Sequence, residues 1–161
     1  MAFKASLGLT AIIVTTAVTI LFAVLIGGQY AITKDAGRAL PIYTTTTCVL
    51  IYLIAYAFRP VSYVITQDEI IVRRPLLNVH INRIDIASAE IIDRNKIHIS
   101  MRTMGTPGIF GFSGTFYTLA YGRMTWYVTR RDRLVLIRTK NNKKILLTPD
   151  EPEKFIQQLN Y

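Results

Sequence analysis

The part of this sequence that most resembles a chemical site is the glycine-rich segment "GTPGIFGFSGTFYTLAYG", residues 105–122. Glycine-rich loops hold phosphates in P-loops and dinucleotide-binding turns, and they place the nucleophile of many hydrolases. A P-loop requires G-x-x-x-x-G-K-[ST], but no lysine follows a glycine here, and the G-x-G of a dinucleotide turn does not occur. A nucleophile elbow requires G-x-S-x-G, and Thr115 stands where the last glycine belongs after Ser113. The segment therefore predicts none of these three chemistries.

Histidine, cysteine and carboxyl groups also lack the spacing of a catalytic or metal site. His80 and His98 each stand alone in a strand-like stretch, and Cys48 is the single cysteine. Zinc sites need several such ligands close together. The nearest acids are spread along the chain at Asp85, Glu90 and Asp93. We therefore expect no enzyme activity, no metal and no cofactor, with both histidines as ordinary strand residues.

The chain is basic, with a formal net charge of +9, and residues 59–161 carry 16 Lys/Arg against nine Asp/Glu. Basic groups that meet on one rim at an anionic bilayer contribute about 1 kcal/mol each, whereas scattered ones only favour solubility. The candidate lipid- or partner-binding residues are Arg73, Arg74, Arg130, Arg131, Arg133, Lys140, Lys143 and Lys144. Nucleic-acid binding is disfavoured, because only Trp126 and Tyr127 place aromatic rings near basic groups.

Two uncharged runs precede this basic part, residues 5–33 and 39–58. About 20 apolar residues cross the hydrocarbon core as a helix, so we predict a membrane hairpin over Leu7–Ile26 and Leu40–Phe58. The first run is too long for the apolar core of a signal peptide. A buried core helix is the alternative for the second run, whose "TTTTC" cluster lowers its hydropathy.

Charges near the span ends predict the orientation of the hairpin. Four basic residues, Lys4, Arg59, Arg73 and Arg74, flank one side, and two, Lys34 and Arg38, flank the other. The richer side faces the cytoplasm by the positive-inside rule. We therefore expect a multi-pass inner-membrane protein with its N-terminus and its C-terminal part in the cytoplasm. The lone cysteine is consistent with a reducing compartment.

The remaining chain has the pattern of short strands. "KIHISMR" (Lys96–Arg102) alternates apolar and polar residues, and "MTWYVT", "RLVLIRT" and "KILL" follow, separated by turn residues. About seven strands predict a small barrel or sandwich. A C-terminal helix is expected to cover its open end through Phe155, Ile156 and Leu159, with Asp150 as its N-cap.

Three interpretations of the glycine segment remain at this point. A third membrane span is possible by length, although five glycines and Pro107 lower its hydropathy. A shallow interfacial insertion would use Ile109, Phe110 and Phe112. A structural loop would use glycine for close backbone approach and the phenylalanines to pack into the core.

The second half of the chain resembles the bacterial pleckstrin-homology-like (PH-like) domains of the small membrane-anchored type. Its glycine-aromatic motif is formed by Gly105, Gly108, Phe110, Gly111, Phe112, Gly114 and Phe116. The pattern continues with Gly122, Tyr127, Leu134–Thr139, Pro149, Pro152, Phe155, Ile156 and Leu159. The likeness covers residues 62–160, and Pro107 departs from it.

The resemblance implies a bent antiparallel barrel of about seven strands with a helical cap, without enzyme activity, which can form homo-oligomers. We accordingly predict a hairpin over residues 1–59 and a PH-like domain over 60–161. Its function would be to bind a partner protein, or copies of itself, at the bilayer. The alternatives are a sensor of anionic or phosphoinositide-type headgroups and a regulatory subunit of a membrane enzyme or transporter.

Overall fold

The computed structural model describes residues 1–32, 39–93, 97, 100–105 and 108–159, with the backbone alone for 100–104. Two long helices and a mainly-β domain with a C-terminal helix make up this part of the chain. The helices are α1 Leu9–Ile32, α2 Ala39–Ala57 and α3 Pro152–Leu159, with a short 3-10 turn at Arg83–Asp85. The strands are β1 Ala2–Lys4, β2 Ser62–Ile65, β3 Glu69–Arg73, β4 Val79–Asn82, β5 Ile86–Ile92, β6 Ser100–Gly105, β7 Phe112–Thr118, β8 Gly122–Val128, β9 Leu134–Thr139 and β10 Lys144–Leu147.

Helices α1 and α2 are both long and apolar enough to cross a membrane. Most of their surface is exposed, which argues against the core-helix interpretation of the second run. The threonines fit a helix because their hydroxyls donate to carbonyls four residues back, as from Thr47 to Tyr43 (2.8 Å). Compared with the prediction, α1 begins two residues later and extends to Ile32.

The strands form two sheets, in the orders β1-β2-β3-β4 and β5-β9-β10-β8-β7-β6. Among the described residues after position 59 there are nine strands, β2 to β10, where about seven were predicted, and β10 pairs in parallel with β8. No ladder joins the two sheets in this part of the chain, so closure into a barrel stays a prediction. Since Phe112–Thr118 is β7, the third-span interpretation of the glycine segment is wrong.

Strand β1 is an element that we did not predict. It precedes α1 and pairs antiparallel with β2, which follows α2. The N-terminal ammonium donates to the Ile65 carbonyl at 2.6 Å. The predicted division between residues 59 and 60 therefore stays a prediction, and residues on both sides of it share one sheet.

The strands run between two opposite ends of the domain. One end of the domain, here called the helix end, comprises residues 5–8, 58–61, 74–78, 108–111 and 129–133. The opposite end, here called the far end, comprises the turns at 66–68, 119–121 and 140–143. Strands β8 and β10 run from the far end to the helix end, and β7 and β9 run away from it. Each loop is therefore assigned to one of two opposite surfaces.

The C-terminal helix packs on the apolar cluster that lies between the two sheets. Phe155 is fully buried, with its ring centroid 5.2 Å from that of Phe3 and 6.3 Å from that of Tyr63. The predicted N-cap is wrong, because the Asp150 side chain bonds to Ser6 and Arg130 instead. The first carbonyl of the helix to accept a bond is that of Glu151, from Phe155 N–H.

Candidate surfaces at the two ends of the strands

The glycine-aromatic motif contacts the two long helices. The loop between β6 and β7 places Phe110 N–H 2.9 Å from the Thr15 hydroxyl of α1. The Phe110 ring packs edge-on against Tyr52 (5.0 Å) and Tyr56 (5.5 Å) of α2. Phe112 and Phe116 are buried in the domain core. Phe110 therefore links the domain to the helices, and the other two phenylalanines fill the core as expected.

Gly111 shows why this loop needs glycine. Its φ of 123° is a conformation that other residues rarely adopt, and a Cβ there would lie 2.9 Å from the Val128 carbonyl oxygen. The loop thus crosses directly over the end of β8. This close approach sets Phe110 against the helices.

The segment that leads into α1 is held at the same end. Gly8 N–H donates to the Thr129 carbonyl at 2.9 Å, and the Ser6 hydroxyl donates to Asp150 at 2.6 Å. Gly8 also lies so close to Arg130 that a Cβ there would be 2.6 Å from the arginine Cβ. The start of α1 is therefore fixed to the loop between β8 and β9.

Arg130 is committed to ion pairs within the domain. Its guanidinium donates to both carboxylate oxygens of Asp132 at 2.6 Å and to Asp150 at 3.2 Å. The bonds with Asp132 raise the pKa of Arg130, and the same bonds lower the pKa of Asp132. This arginine therefore stabilises the loop. Its guanidinium is already paired with two carboxylates and is poorly placed to bind a ligand.

The other two arginines of this loop also contact the protein. Arg131 lies over the Phe112 ring, 4.3 Å from its centroid. Arg133 donates to the Asp150 carbonyl at 3.0 Å, and its side chain is exposed. Both lie at the helix end.

Arg73 and Arg74 reach the helix end from the other sheet. Arg74 lies 5.4 Å from the Phe58 ring centroid and 5.6 Å from that of Tyr127. Burial lowers the pKa of Arg74, while the electrostatic interaction with the Tyr127 phenol acts in the opposite direction and raises it. Arg73 is exposed at the end of β3.

The three candidate lysines lie at the far end, in and beside the turn between β9 and β10. Lys140 N–H bonds to the Asp85 carbonyl at 2.7 Å, and the Lys144 ammonium donates to the Tyr121 carbonyl at 2.6 Å. Lys143 is exposed. The structure therefore brings the five candidate arginines to one end of the domain and the three lysines to the other.

A cleft of about 300 Å³ runs between the sheets along β4 and opens toward the far end. It is lined by Val79, His80, Ile81, Asn82, Asp85, Thr125, Tyr127, Thr139, Asn141, Lys143 and Ile145. In the described part of the chain, β4 pairs with β3 on one side only, so its other edge faces this cleft. Sequence reasoning missed the cleft, because it depends on where the two sheets part.

Two of the polar side chains considered in the sequence analysis form ion pairs or hydrogen bonds with a neighbouring strand. His80 Nδ1 lies 2.9 Å from the Glu69 carboxylate, and Glu90 pairs with Arg138 at 2.8 Å. Among the described residues, no three His, Cys, Asp or Glu lie close enough to hold a metal ion. The prediction for His98 falls outside the described residues.

Comparison with known families identifies the domain. The sequence model of a family described as "Bacterial PH domain" matches residues 61–161. This match covers more than half of the chain, and the chain belongs to that family. The predicted resemblance is therefore confirmed. No curated protein and no solved structure matches the chain.

Proposed function

We propose that this chain is a non-enzymatic, membrane-anchored PH-like module that binds a protein segment at its far end. The observation that carries the proposal is the cleft along β4, which borders an edge without a partner strand in the described residues. Such an edge presents unpaired N–H and C=O groups, and an extended segment can add to it as a further strand. The segment would come from another protein or from a second copy of this chain.

The position of the cleft suits this role. Helices α1 and α2 would hold the helix end at the bilayer as a two-span hairpin, with the domain and the N-terminus in the cytoplasm. The contacts of Phe110 with α2 and of Gly8 with Thr129 keep the domain against the hairpin. The far end would then face away from the membrane, where a partner has access.

Site-specific photo-crosslinking in native membranes tests this function. A photoreactive residue at Asn82, which is exposed on β4 in the cleft lining, is expected to give a defined crosslinked species. Two differently tagged copies in one cell distinguish self-association from a second protein. The matched control is Leu119, which is exposed at the same end outside the cleft. Equal crosslinking from both positions, or none from Asn82, contradicts the proposal.

Sensing of anionic lipid is a second candidate function, favoured by the arginines at the helix end. Arg73 and Arg133 are exposed there and carry charge toward the side where the bilayer would lie. Increasing the anionic lipid of nanodiscs that hold the full chain should then slow hydrogen exchange of the loops at 73–78 and 129–133. Unchanged exchange in neutral and anionic nanodiscs would rule out this candidate.

A further inference from the structure

We propose that the loop between β3 and β4 inserts Leu76 and Leu77 into the leaflet in which α2 ends. The occupant of this surface is the lipid bilayer. The inference rests on the membrane placement proposed above, and it adds a third attachment that hydropathy alone does not indicate. The loop is only five residues long, 74–78, far too short to span.

Exposure of the two leucines is the first observation. Leu76 is 63% exposed and Leu77 is 56% exposed. Exposed single leucines are common, and Leu119 at the far end is another. Two adjacent leucines on one short loop form a local apolar surface that water solvates poorly, so their position in the molecule decides what covers them.

The position of the loop is the second observation. Leu76 N–H donates to the carbonyl of Ala57, the last residue of α2, at 3.2 Å. A helix of 19 residues is about 28 Å long at 1.5 Å per residue, close to the ~30 Å hydrocarbon thickness. If α2 spans the bilayer, Ala57 lies at the boundary of the hydrocarbon. The Leu76 backbone is bonded to it and lies at the same depth.

The loop is also held in shape before any lipid is present. The Arg74 side chain donates to the Leu77 carbonyl, and Arg74 N–H donates to the Asn78 side chain at 3.2 Å. The Arg74 guanidinium also lies over the Phe58 ring, at the start of the segment that follows α2. The loop therefore does not have to become ordered when its leucines contact the lipid.

The charges beside the leucines fit an interfacial position. Arg73 is exposed and Arg74 is partly exposed, and both directly precede Pro75 and the leucines. Basic residues next to an apolar pair are typical of segments that lie at headgroup depth with their apolar side chains in the acyl region. Insertion would hold the first sheet against the bilayer beside α2.

Depth-dependent fluorescence quenching in proteoliposomes of the full chain tests the proposal. In a Cys48→Ala background, the substitutions Leu77→Cys, Leu119→Cys and Leu21→Cys each carry an environment-sensitive fluorophore. Leu21 lies within α1 and reports whether the hairpin spans, and Leu119 is the matched exposed leucine at the far end. The vesicles contain lipids with quenchers at shallow or deep acyl positions.

We expect the label at position 77 to be quenched about twofold by the shallow quencher, as for a side chain at the interface. The label at 119 should be unquenched, and the label at 21 should be quenched by the deep quencher. If 77 behaves like 119 while 21 is quenched, insertion is wrong and the membrane placement stands. If 21 is also unquenched, the membrane placement fails and the insertion fails with it.

Discussion

Phe110 is the residue that most directly joins the domain to the helices. Replacing it by alanine removes two ring contacts with α2 and loosens the bond from Phe110 N–H to Thr15. Because the ring is only half-buried, we expect the substitution to destabilise the loop by about 2 kcal/mol, less than the ~3–5 kcal/mol typical of a fully buried phenylalanine. The amides of the loop at 108–112 should then exchange at least about tenfold faster by hydrogen-exchange mass spectrometry.

Tyr117→Ala is the control for this prediction. Tyr117 lies on β7 and is 48% exposed. Its removal should leave exchange of the loop at 108–112 unchanged. Equal exchange in Phe110→Ala and the wild type would show that the contact with α2 does not hold the loop.

Tyr63 gives the domain a defined response to alkaline pH. Burial raises its pKa to about 12, and its hydroxyl donates to the Tyr127 carbonyl at 2.6 Å. The folded state therefore favours the neutral phenol. Its contribution to stability is complete below pH 10, the usual phenol pKa, and is lost as the pH rises toward 12. Two pKa units correspond to a loss of about 3 kcal/mol.

The single tryptophan, Trp126, is fully buried in the domain and serves as the unfolding probe for this effect. Tyr63→Phe should lower the free energy of unfolding at pH 7 by about 1 kcal/mol, because the Tyr127 carbonyl loses its donor. It should also flatten the decline between pH 10 and 12. Tyr117→Phe should not change that decline, and an equally steep decline in Tyr63→Phe would contradict the assignment.

At the scale of elements, β1 joins the start of the chain to the sheet that follows α2. Phe3 is buried against Phe155, whereas its neighbour Lys4 is exposed. Phe3→Ala should lower the free energy of unfolding, followed by Trp126 fluorescence, by about 3 kcal/mol. Lys4→Ala should change it by less than about 0.5 kcal/mol. Equal stability of the two variants would mean that β1 does not pack on the domain.

The loop between β6 and β7 depends on its backbone conformation. Gly111→Ala forces a Cβ toward the Val128 carbonyl at a φ of 123°, which should destabilise the domain by about 2 kcal/mol. Gly28→Ala is the matched control, because no heavy atom lies within 4 Å of a Cβ at that helical position. The midpoint temperature of thermal unfolding should fall for Gly111→Ala and not for Gly28→Ala. A similar midpoint for both variants would contradict the claim that the backbone conformation at position 111 requires glycine.

The elements that sequence predicts well are those with a strong local pattern. The two apolar runs predict α1 and α2 to within a few residues, except at the end of α1, and strand-forming runs bounded by turn residues predict β8, β9 and β10. Strand β1 could not be predicted, because three residues are too few to show a hydrophobic periodicity. Its partner strand is also about 60 positions away in sequence. The Asp150 prediction failed for a similar reason: a local N-cap pattern competed with Ser6 and Arg130, which only the fold brings near.

The candidate lipid- or partner-binding residues stay a prediction, and their arrangement in space could not be inferred from the sequence. The candidate arginines and lysines lie in turns or at strand ends, and the strand directions place the two groups at opposite ends of the domain. The structural-loop interpretation placed Phe110 in the domain core, whereas its ring contacts Tyr52 of α2, a position that no local pattern relates to it. The cleft along β4 arises from the gap between two sheets, which the sequence of neither sheet encodes by itself.

At the scale of the whole molecule, the pairing of β1 with β2 constrains the path of the chain. Residues before α1 and after α2 are neighbours in one sheet, so both helix ends that adjoin the domain lie on the same side. If the helices span the bilayer, the sequence between them must lie across it. This arrangement separates a membrane side with arginines and exposed leucines from a far end with the cleft.

Cysteine accessibility in sealed proteoliposomes tests this central claim most directly. Single cysteines are placed at Ala36, between the two helices in sequence, and at Lys140, exposed at the far end, each in the Cys48→Ala background. A membrane-impermeant maleimide should label the two positions from opposite sides of the bilayer. Labelling of both positions from the same side would contradict the account.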